Sequence, residues 1–410
     1  MKSQKLSYLL GLLWNSPIFG DSYPVSSFES DTMGQLKTIY PYFVEIFLPI
    51  LEKGMPETNQ AEVREIINQL APKSIAFCAS ISAGEIRDLE KLAQAAAAIA
   101  VLYWADQSMD RGDQAMIKAV QQIARSMRES QPLPKETDKI VLARRAGLKH
   151  IEQMAYQINQ HPDDFLLILQ AIHLDVLDNE ARVCHLSQVY HHDGPQSSFW
   201  DKYSDEIAQK MVFNSGLMSA LTLIYAIYRY YDPTIPSLKE IYQEEALMAL
   251  VKKKFNTAIR VFDDWGDRHI DSGKYPQWGT FAINIFNQAE PQLLKKVIDY
   301  SGFEDETVRE QLMTTFMNAK EEDWLYIARA YAQLMRDGIA NLPQDLLEKY
   351  TVFLRLAKRI LEAGFINAVG DIFLTEGAHD EHVTMDTLEN MFKAVESADG
   401  GRVNTARSEA

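Results

Sequence analysis

An aspartate run at residues 104–113, WADQSMDRGD, contains side chains that could bind a divalent cation. An α-helix turns by 100° per residue, so Asp106, Asp110 and Asp113 would stay within about 60° of one another around a helix. Like charges at this spacing repel one another and weaken the helix. A row of three carboxylates therefore calls for a compensating cation. Mg²⁺ is the natural candidate, because it prefers oxygen ligands and also bridges phosphates.

A second run, FDDWGDRHID at residues 262–271, repeats this pattern. Asp263, Asp267 and Asp271 would drift by only about 80° over two helical turns. Each run follows a long apolar stretch and is flanked by large aromatic residues, which disfavours the competing interpretation of a solvated acidic face or a set of helix caps. We therefore predict one joint metal site. Its predicted ligands are Asp106, Asp110, Asp113, Asp263, Asp264, Asp267 and Asp271.

The composition is that of an ordinary soluble globular protein. The chain has 410 residues, of which 47% are hydrophobic and 24% charged. Its net charge of −16 argues against nucleic acid or an anionic membrane as a partner. Two cysteines, Cys78 and Cys184, form neither a disulfide framework nor a zinc-binding pattern. We expect a cytoplasmic protein, and the sequence leaves a homodimer open.

Three apolar stretches raise the question of a membrane or signal segment. Residues 92–105 are too short to span a bilayer, and residues 213–231 carry polar and charged side chains. The first twenty residues pair two lysines with a short apolar run, which favours a helix over a signal peptide. We therefore predict no integral membrane segment.

The chain reads as a succession of long helical patterns with glycine and proline mostly between them. Residues 93–104 and 217–228 are apolar nearly all round, so each of these helices must be surrounded by others. The predicted fold is all-α, with residues 1–376 forming one large helical bundle around a central apolar cavity. Residues 377–410 are predicted to be a polar segment that ends in a disordered tail.

The two aspartate runs, on long helices of an all-α chain, resemble the motifs of the class I isoprenoid synthase superfamily. That superfamily includes terpene synthases, trans-prenyl diphosphate synthases and squalene/phytoene synthases. Residues 263–267 match its DDxxD motif. Asp263, Asp267 and Asp271 also have the spacing of the metal-binding triad of terpene synthases, which consists of Asn, Ser/Thr and Glu. Because residue 107 is Gln, the first run reads DxxxD, which is similar to squalene-synthase-like members. The resemblance covers about residues 70–375 as a helical pattern, but the specific match is confined to the two motifs.

The resemblance implies a mechanism. In this superfamily the two motifs face each other across the mouth of an apolar cavity and hold three Mg²⁺ ions, which bind the diphosphate of an allylic substrate. Loss of diphosphate needs its developing charge to be neutralised, and the resulting carbocation must be kept from water. On this basis the catalytic residues are expected to be Asp106, Asp110, Asp263 and Asp267.

The residues that bind the substrate follow from the same resemblance. Lys210 lies about 50 residues before the second run and resembles the basic position that senses diphosphate. Arg268 and Lys274 are second choices, and Trp104 and Phe262 are candidates for the cavity wall. Ordinary core packing is the alternative for both aromatic residues. The other aromatic candidates for the wall are Phe77, Tyr103, Phe213, Tyr225 and Trp265.

The expected function is that of a terpene synthase, which ionises a linear isoprenyl diphosphate, cyclises the cation and ends by proton loss or water capture. A prenyltransferase of the squalene/phytoene synthase type, or a chain-elongating one, is the alternative. A non-catalytic helical binding protein is the third hypothesis. Asn214 and Ser215 are interpreted either as a helix kink or as a diphosphate contact, and His191 and His192 are expected to lie in a loop rather than to bind a metal.

Overall fold

The computed structural model describes residues 31–361 except residues 83, 194–196, 268–282, 289, 319 and 321–322. The described residues form helices and contain no strand, which confirms the predicted all-α class. The predicted N-terminal helix, the boundary at residue 376 and the polar C-terminal segment lie outside the described residues.

The described part of the chain contains eighteen α-helices, and a further helical stretch covers residues 351–361. In chain order they are α1 Asp31–Gly54, α2 Gln60–Ser82, α3 Leu89–Asp110, α4 Gln114–Glu129, α5 Lys139–Leu148, α6 His150–Ile158, α7 Pro162–Gln170, α8 Asp178–Asp193, α9 Ser197–Phe213, α10 Leu217–Tyr231, α11 Leu238–Gln243, α12 Glu245–Ala249, α13 Asn256–Asp267, α14 Ile285–Gln288, α15 Pro291–Ser301, α16 Glu306–Asn318, α17 Trp324–Ala340 and α18 Gln344–Lys349.

Helix starts follow local capping chemistry. The side chain of Asp88 accepts a hydrogen bond from the backbone N–H of Lys91 at the start of α3. At the start of α11, Ser237 and Glu240 form a reciprocal capping box, as the sequence predicts. Helix α8 continues to Asp193, so the expectation that His191 and His192 lie in a loop is wrong.

Two π-helical turns interrupt otherwise continuous helices. The turn Ala171–Leu177 joins α7 to α8, and the turn Leu250–Phe255 joins α12 to α13. A π-turn inserts an extra residue and changes which side chains share a face, and such turns are frequent at functional sites. Both of them lie directly before a helix that carries residues of the candidate site.

The central helices are buried on all sides. In α3 the residues from Leu92 to Leu102 are all buried, and in α10 those from Leu217 to Ile227 are buried. Helix α3 packs against α1, α2, α6 and α10. This arrangement buries the two helices that the sequence marks as apolar all round.

Among the described residues, the stretch Ser198–Tyr231, which includes most of α9, the break after it and α10, is long and apolar enough to cross a membrane by length and composition. Its most apolar window has a mean hydropathy of 1.4, and 78% of that window is buried inside the protein. Such burial fits a stretch that packs in the protein core.

Candidate functional site

The first aspartate run lies at the C-terminal end of α3. Asp106 and Asp110 are one turn apart in the last two turns of this helix, and both are half-buried. The helix ends at Asp110, and Gly112 then adopts the left-handed conformation with φ of 83°. Only Asp106 and Asp110 therefore share the helix face that the spacing predicts.

Asp113 does not belong to that face. Its Oδ1 caps α4 by accepting from the backbone N–H of Met116 at 3.0 Å, and its Oδ2 pairs with Arg144 Nε at 3.0 Å. The expectation of three carboxylates in a row on one helix is therefore wrong. Both oxygens of Asp113 stabilise the turn between α3 and α4 and the packing of α5.

Helix α8 brings a buried Glu–Cys pair against Asp110. The thiol of Cys184 lies 3.4 Å from Asp110 Oδ1 and 3.2 Å from Glu180 Oε1, and it is placed to donate to either oxygen. One ligand atom from each of the three residues lies within 4.8 Å of the other two. Glu180 and Cys184 are one helical turn apart and both are buried. The first motif therefore ends beside a carboxylate and a thiol from a different helix.

Glu180 also contacts the chain that leads to the second motif. The side chain of Asn214 donates from Nδ2 to Glu180 Oε2 at the break between α9 and α10. The next residue, Ser215, donates from its hydroxyl to Asn256 Oδ1 at 2.8 Å, and Asn256 is the first residue of α13. Gly216 completes the break with φ of 75°. A chain of side-chain contacts thus runs from α8 to the helix of the second motif.

The charges of both motifs act on this buried pair. Burial raises the pKa of Glu180, the negative charge of Asp263 raises it further, and the Arg260 guanidinium opposes the shift. Burial also raises the pKa of the Cys184 thiol well above its ordinary value, and the charges of Glu180, Asp110 and Asp106 add to that shift. Asp106 and Asp110 of the first motif and Asp263 of the second therefore act electrostatically on one Glu–Cys pair.

The two adjacent aspartates of the second motif have different environments. The Asp263 side chain is 48% exposed and lies 3.9 Å from Arg260 Nη1. The Asp264 side chain is 1% exposed, its Oδ1 lies 2.6 Å from Arg260 Nη2, and its Oδ2 accepts from the backbone N–H of Ile285 at 2.7 Å. The expectation that Asp264 is a metal ligand is not supported by this geometry, because its oxygens hold Arg260 and the segment before α14.

The side chains of the remaining predicted residues of the second run lie outside the described part of the chain. Asp267 ends α13, but its side chain lies outside the described part, and Asp271 lies in the undescribed range. Arg268 and Lys274 also lie outside the described residues. Their roles stay predictions.

Lys210 lies one turn before Asn214 on α9 and is half-buried. Arg182 lowers the pKa of Glu206 most strongly, and the charge of Lys210 lowers it further. The helix that carries Lys210 therefore leads directly to the Glu180 contact, while the lysine charge acts on Glu206.

Trp104 and Phe262 lie in interfaces between helices. A Cβ added at Gly54 would lie 2.5 Å from Trp104 Cη2, and one at Gly147 would lie 3.0 Å from the same atom, so the indole is wedged between α1 and α5. The ring of Phe262 meets that of Tyr331 edge to face at 6.2 Å between centroids. These contacts are those of core packing, the alternative that the sequence left open for both residues.

The sequence alone did not single out Glu180, Cys184 or Arg260 as site residues. One signal was present: two acidic residues, Asp178 and Glu180, interrupt a long helical pattern expected to pack in the bundle. A carboxylate inside such a pattern is either turned to solvent or paired with a specific partner. The contacts of Glu180 with Cys184 and Asn214 are of the second kind.

Comparison of the chain with protein-family models, curated proteins and solved structures found no match.

Proposed function

We propose that the protein is a terpene synthase of the class I type, which ionises a linear isoprenyl diphosphate with the help of Mg²⁺ and then cyclises the carbocation. The observation that carries the proposal is the position of Glu180. It contacts Asn214, shares the Cys184 thiol with Asp110, and lies within the electrostatic influence of Asp263. Two motifs that are far apart in the chain thus act on one buried carboxylate.

The donor set supports Mg²⁺ as the cation. Asp106, Asp110, Asp263 and Glu180 offer carboxylate oxygens, which are the ligands that Mg²⁺ prefers. Buried carboxylates are costly without a nearby positive charge, and the raised pKa of Glu180 is the sign of that cost. By the family resemblance the site would take three ions, with Asp267 and Asp271 completing the second motif. Bound Mg²⁺ would neutralise the charge that develops on the departing diphosphate.

The residues of the chain would have distinct roles in this reaction. Lys210, which precedes the Asn214 break, would bind the diphosphate, and Arg268 and Lys274 would assist it. Arg260 would not bind the substrate directly. It would hold the buried Asp264 in an ion pair and lower the pKa of Glu180. The apolar helices α3 and α10 would exclude water from the carbocation. A substrate of this kind is consistent with a cytoplasmic enzyme.

A product assay tests the proposal. Purified protein is incubated with Mg²⁺ and geranyl, farnesyl, geranylgeranyl or a longer isoprenyl diphosphate, with and without isopentenyl diphosphate, and the organic extract is analysed. A cyclic hydrocarbon or alcohol from a single diphosphate is the expected result. Products that need isopentenyl diphosphate would instead indicate chain elongation, and head-to-head dimeric products would indicate a condensing prenyltransferase.

Matched variants make the assay specific. Asp110→Asn and Asp263→Asn are expected to abolish product formation, whereas Asp163→Asn is expected to retain it. Asp163 is an exposed aspartate of α7 whose side chain forms an ion pair with the exposed Lys239. Absence of product from every diphosphate, or as much product from the two motif variants as from the wild-type chain, would overturn both enzyme hypotheses and favour a binding protein.

A further inference from the structure

We propose that Cys184, Glu180, Asp110 and Asn214 form a binding site for a thiophilic divalent transition-metal ion such as Zn²⁺ or Co²⁺. The proposed site involves a sulfur ligand that the aspartate motifs do not contain. It shares Asp110 and Glu180 with the proposed Mg²⁺ donor set, but its test requires neither a diphosphate nor catalysis.

The distances fit a four-coordinate ion. Zn–S bonds of about 2.3 Å and Zn–O bonds of about 2.1 Å separate sulfur from oxygen by about 3.6 Å in a tetrahedron. The Cys184 sulfur lies 3.4 Å from Asp110 Oδ1 and 3.2 Å from Glu180 Oε1. A displacement of a few tenths of an ångström would therefore place these three atoms around one ion. They already lie within 4.8 Å of one another.

Asn214 supplies an independent indication of a ligand. The residue is 7% exposed, and its Oδ1 has no hydrogen-bond partner among the described residues. That oxygen is bonded to the same carbon as the Nδ2 that donates to Glu180, so it lies at the edge of the cluster. A buried acceptor without a partner costs free energy, and native proteins rarely leave one so. A metal ion beside Glu180 would use this oxygen as its fourth ligand.

The ligand types select the class of metal. A thiolate favours Zn²⁺, Co²⁺ and Cd²⁺ over Mg²⁺, which prefers oxygen ligands and retains water. Binding would replace the thiol proton of Cys184 by the metal and release that proton to the buffer. The ion would join α3, α8 and the break after α9. Asp110 is shared with the first motif, whereas Asp106 and Asp263 lie outside this set of four.

Cobalt absorption tests the proposal directly. The reduced, metal-free and tag-free full chain is titrated with Co²⁺, and the near-ultraviolet band of a cobalt–thiolate bond and the visible bands of a tetrahedral site are recorded. We expect both, and we expect Zn²⁺, but not excess Mg²⁺, to displace them. Absence of the thiolate band in the wild-type chain would overturn the proposal, whether or not the chain turns over a diphosphate.

The two cysteines provide a matched pair of variants. Cys184→Ser keeps a hydroxyl that can donate to Glu180 and Asp110 but offers no sulfur, so the thiolate band is expected to disappear. Cys78→Ser should retain the band, because Cys78 is the other buried thiol and lies on α2. If Cys184→Ser does not fold, Cys78→Ser decides alone, since its only thiol is Cys184. An unchanged band in Cys184→Ser, or its loss in folded Cys78→Ser, would contradict the assignment.

Discussion

Asn214 donates a hydrogen bond to the buried carboxylate of Glu180 across 34 positions of sequence. This contact connects the break between α9 and α10 to a helix that packs against α3. Glu180 is in this way held between the helix that ends in the first aspartate motif and the segment that contacts α13. The contact explains why a residue outside both motifs is central to the site.

Replacing Glu180 by Gln is expected to raise the melting temperature of the metal-free protein at neutral pH and to abolish metal-dependent turnover. The pKa of Glu180 is raised in the folded protein, so the stability that it contributes is present below its unfolded pKa and is lost as the pH rises through its folded pKa. Gln has no charge to bury, and its amide can donate to the Asn214 oxygen. Thermal unfolding with and without Mg²⁺ measures the change in stability, and the product assay measures the turnover. A wild-type chain that is not stabilised by Mg²⁺, or a variant destabilised at neutral pH, would contradict this prediction.

The same substitution, Asp to Asn, is expected to lower stability at position 264 and turnover at position 263. Asp264→Asn removes the charge that pairs with Arg260, and breaking a buried ion pair costs about 3–5 kcal/mol in the free energy of unfolding. Asp263→Asn should change that free energy by less than about 0.5 kcal/mol, because this side chain is half-exposed. The effect of Asp263→Asn should instead be a loss of turnover. Both variants are compared by denaturant unfolding and by product formation. Equal losses of stability would contradict the distinction between a structural Asp264 and a metal-binding Asp263.

Asp110 and Asp113 are likewise expected to differ, with Asp113 needed for stability and Asp110 for turnover. Asp113→Ala removes the cap of α4 and a partner of Arg144, which should lower the free energy of unfolding by about 1–2 kcal/mol. Asp110→Asn retains an oxygen that can accept from the Cys184 thiol, so the fold should be unaffected. Its turnover should fall at least about a hundredfold, since a predicted metal ligand is lost. Folded Asp113→Ala protein, assayed below its melting temperature, should retain turnover. A larger loss of turnover in Asp113→Ala than in Asp110→Asn would show that the capping interpretation is wrong.

His173 is expected to make the protein sensitive to acid. Burial lowers its pKa from 6.5 to about 4, and Lys149 contributes to the shift. Both ring nitrogens lack a hydrogen-bond partner among the described residues. Because the folded pKa is depressed, the stability that depends on His173 is present above pH 6.5 and is lost as the pH falls toward 4, at up to about 1.4 kcal/mol per pH unit.

Comparison with His173→Leu isolates this effect from the carboxylates that also titrate in acid. The free energy of unfolding of the wild-type chain should fall more steeply than that of the variant between pH 6.5 and pH 4. Denaturant melts at several pH values measure the difference. Parallel curves would mean that His173 is protonated without cost in the folded protein.

The sequence by itself determined the helical class, the two buried helices α3 and α10, the capping box at Ser237 and the presence of two acidic motifs. These features depend on side-chain periodicity and capping, which act over a few residues. The sequence could not separate Asp263 from Asp264, because both have the same chemistry and adjacent positions.

Only the tertiary structure decided which acidic residues face the candidate site. In the folded chain Asp113 forms an ion pair with Arg144, and Asp264 forms one with Arg260. The thiol of Cys184 contacts Asp110, which lies 74 positions away in the sequence. The end of α3 at Asp110 and the π-turns before α8 and α13 set the faces that these helices present. How helices cross depends on the packing of many side chains at once, so the partners of a carboxylate follow from the assembled bundle and not from its local sequence.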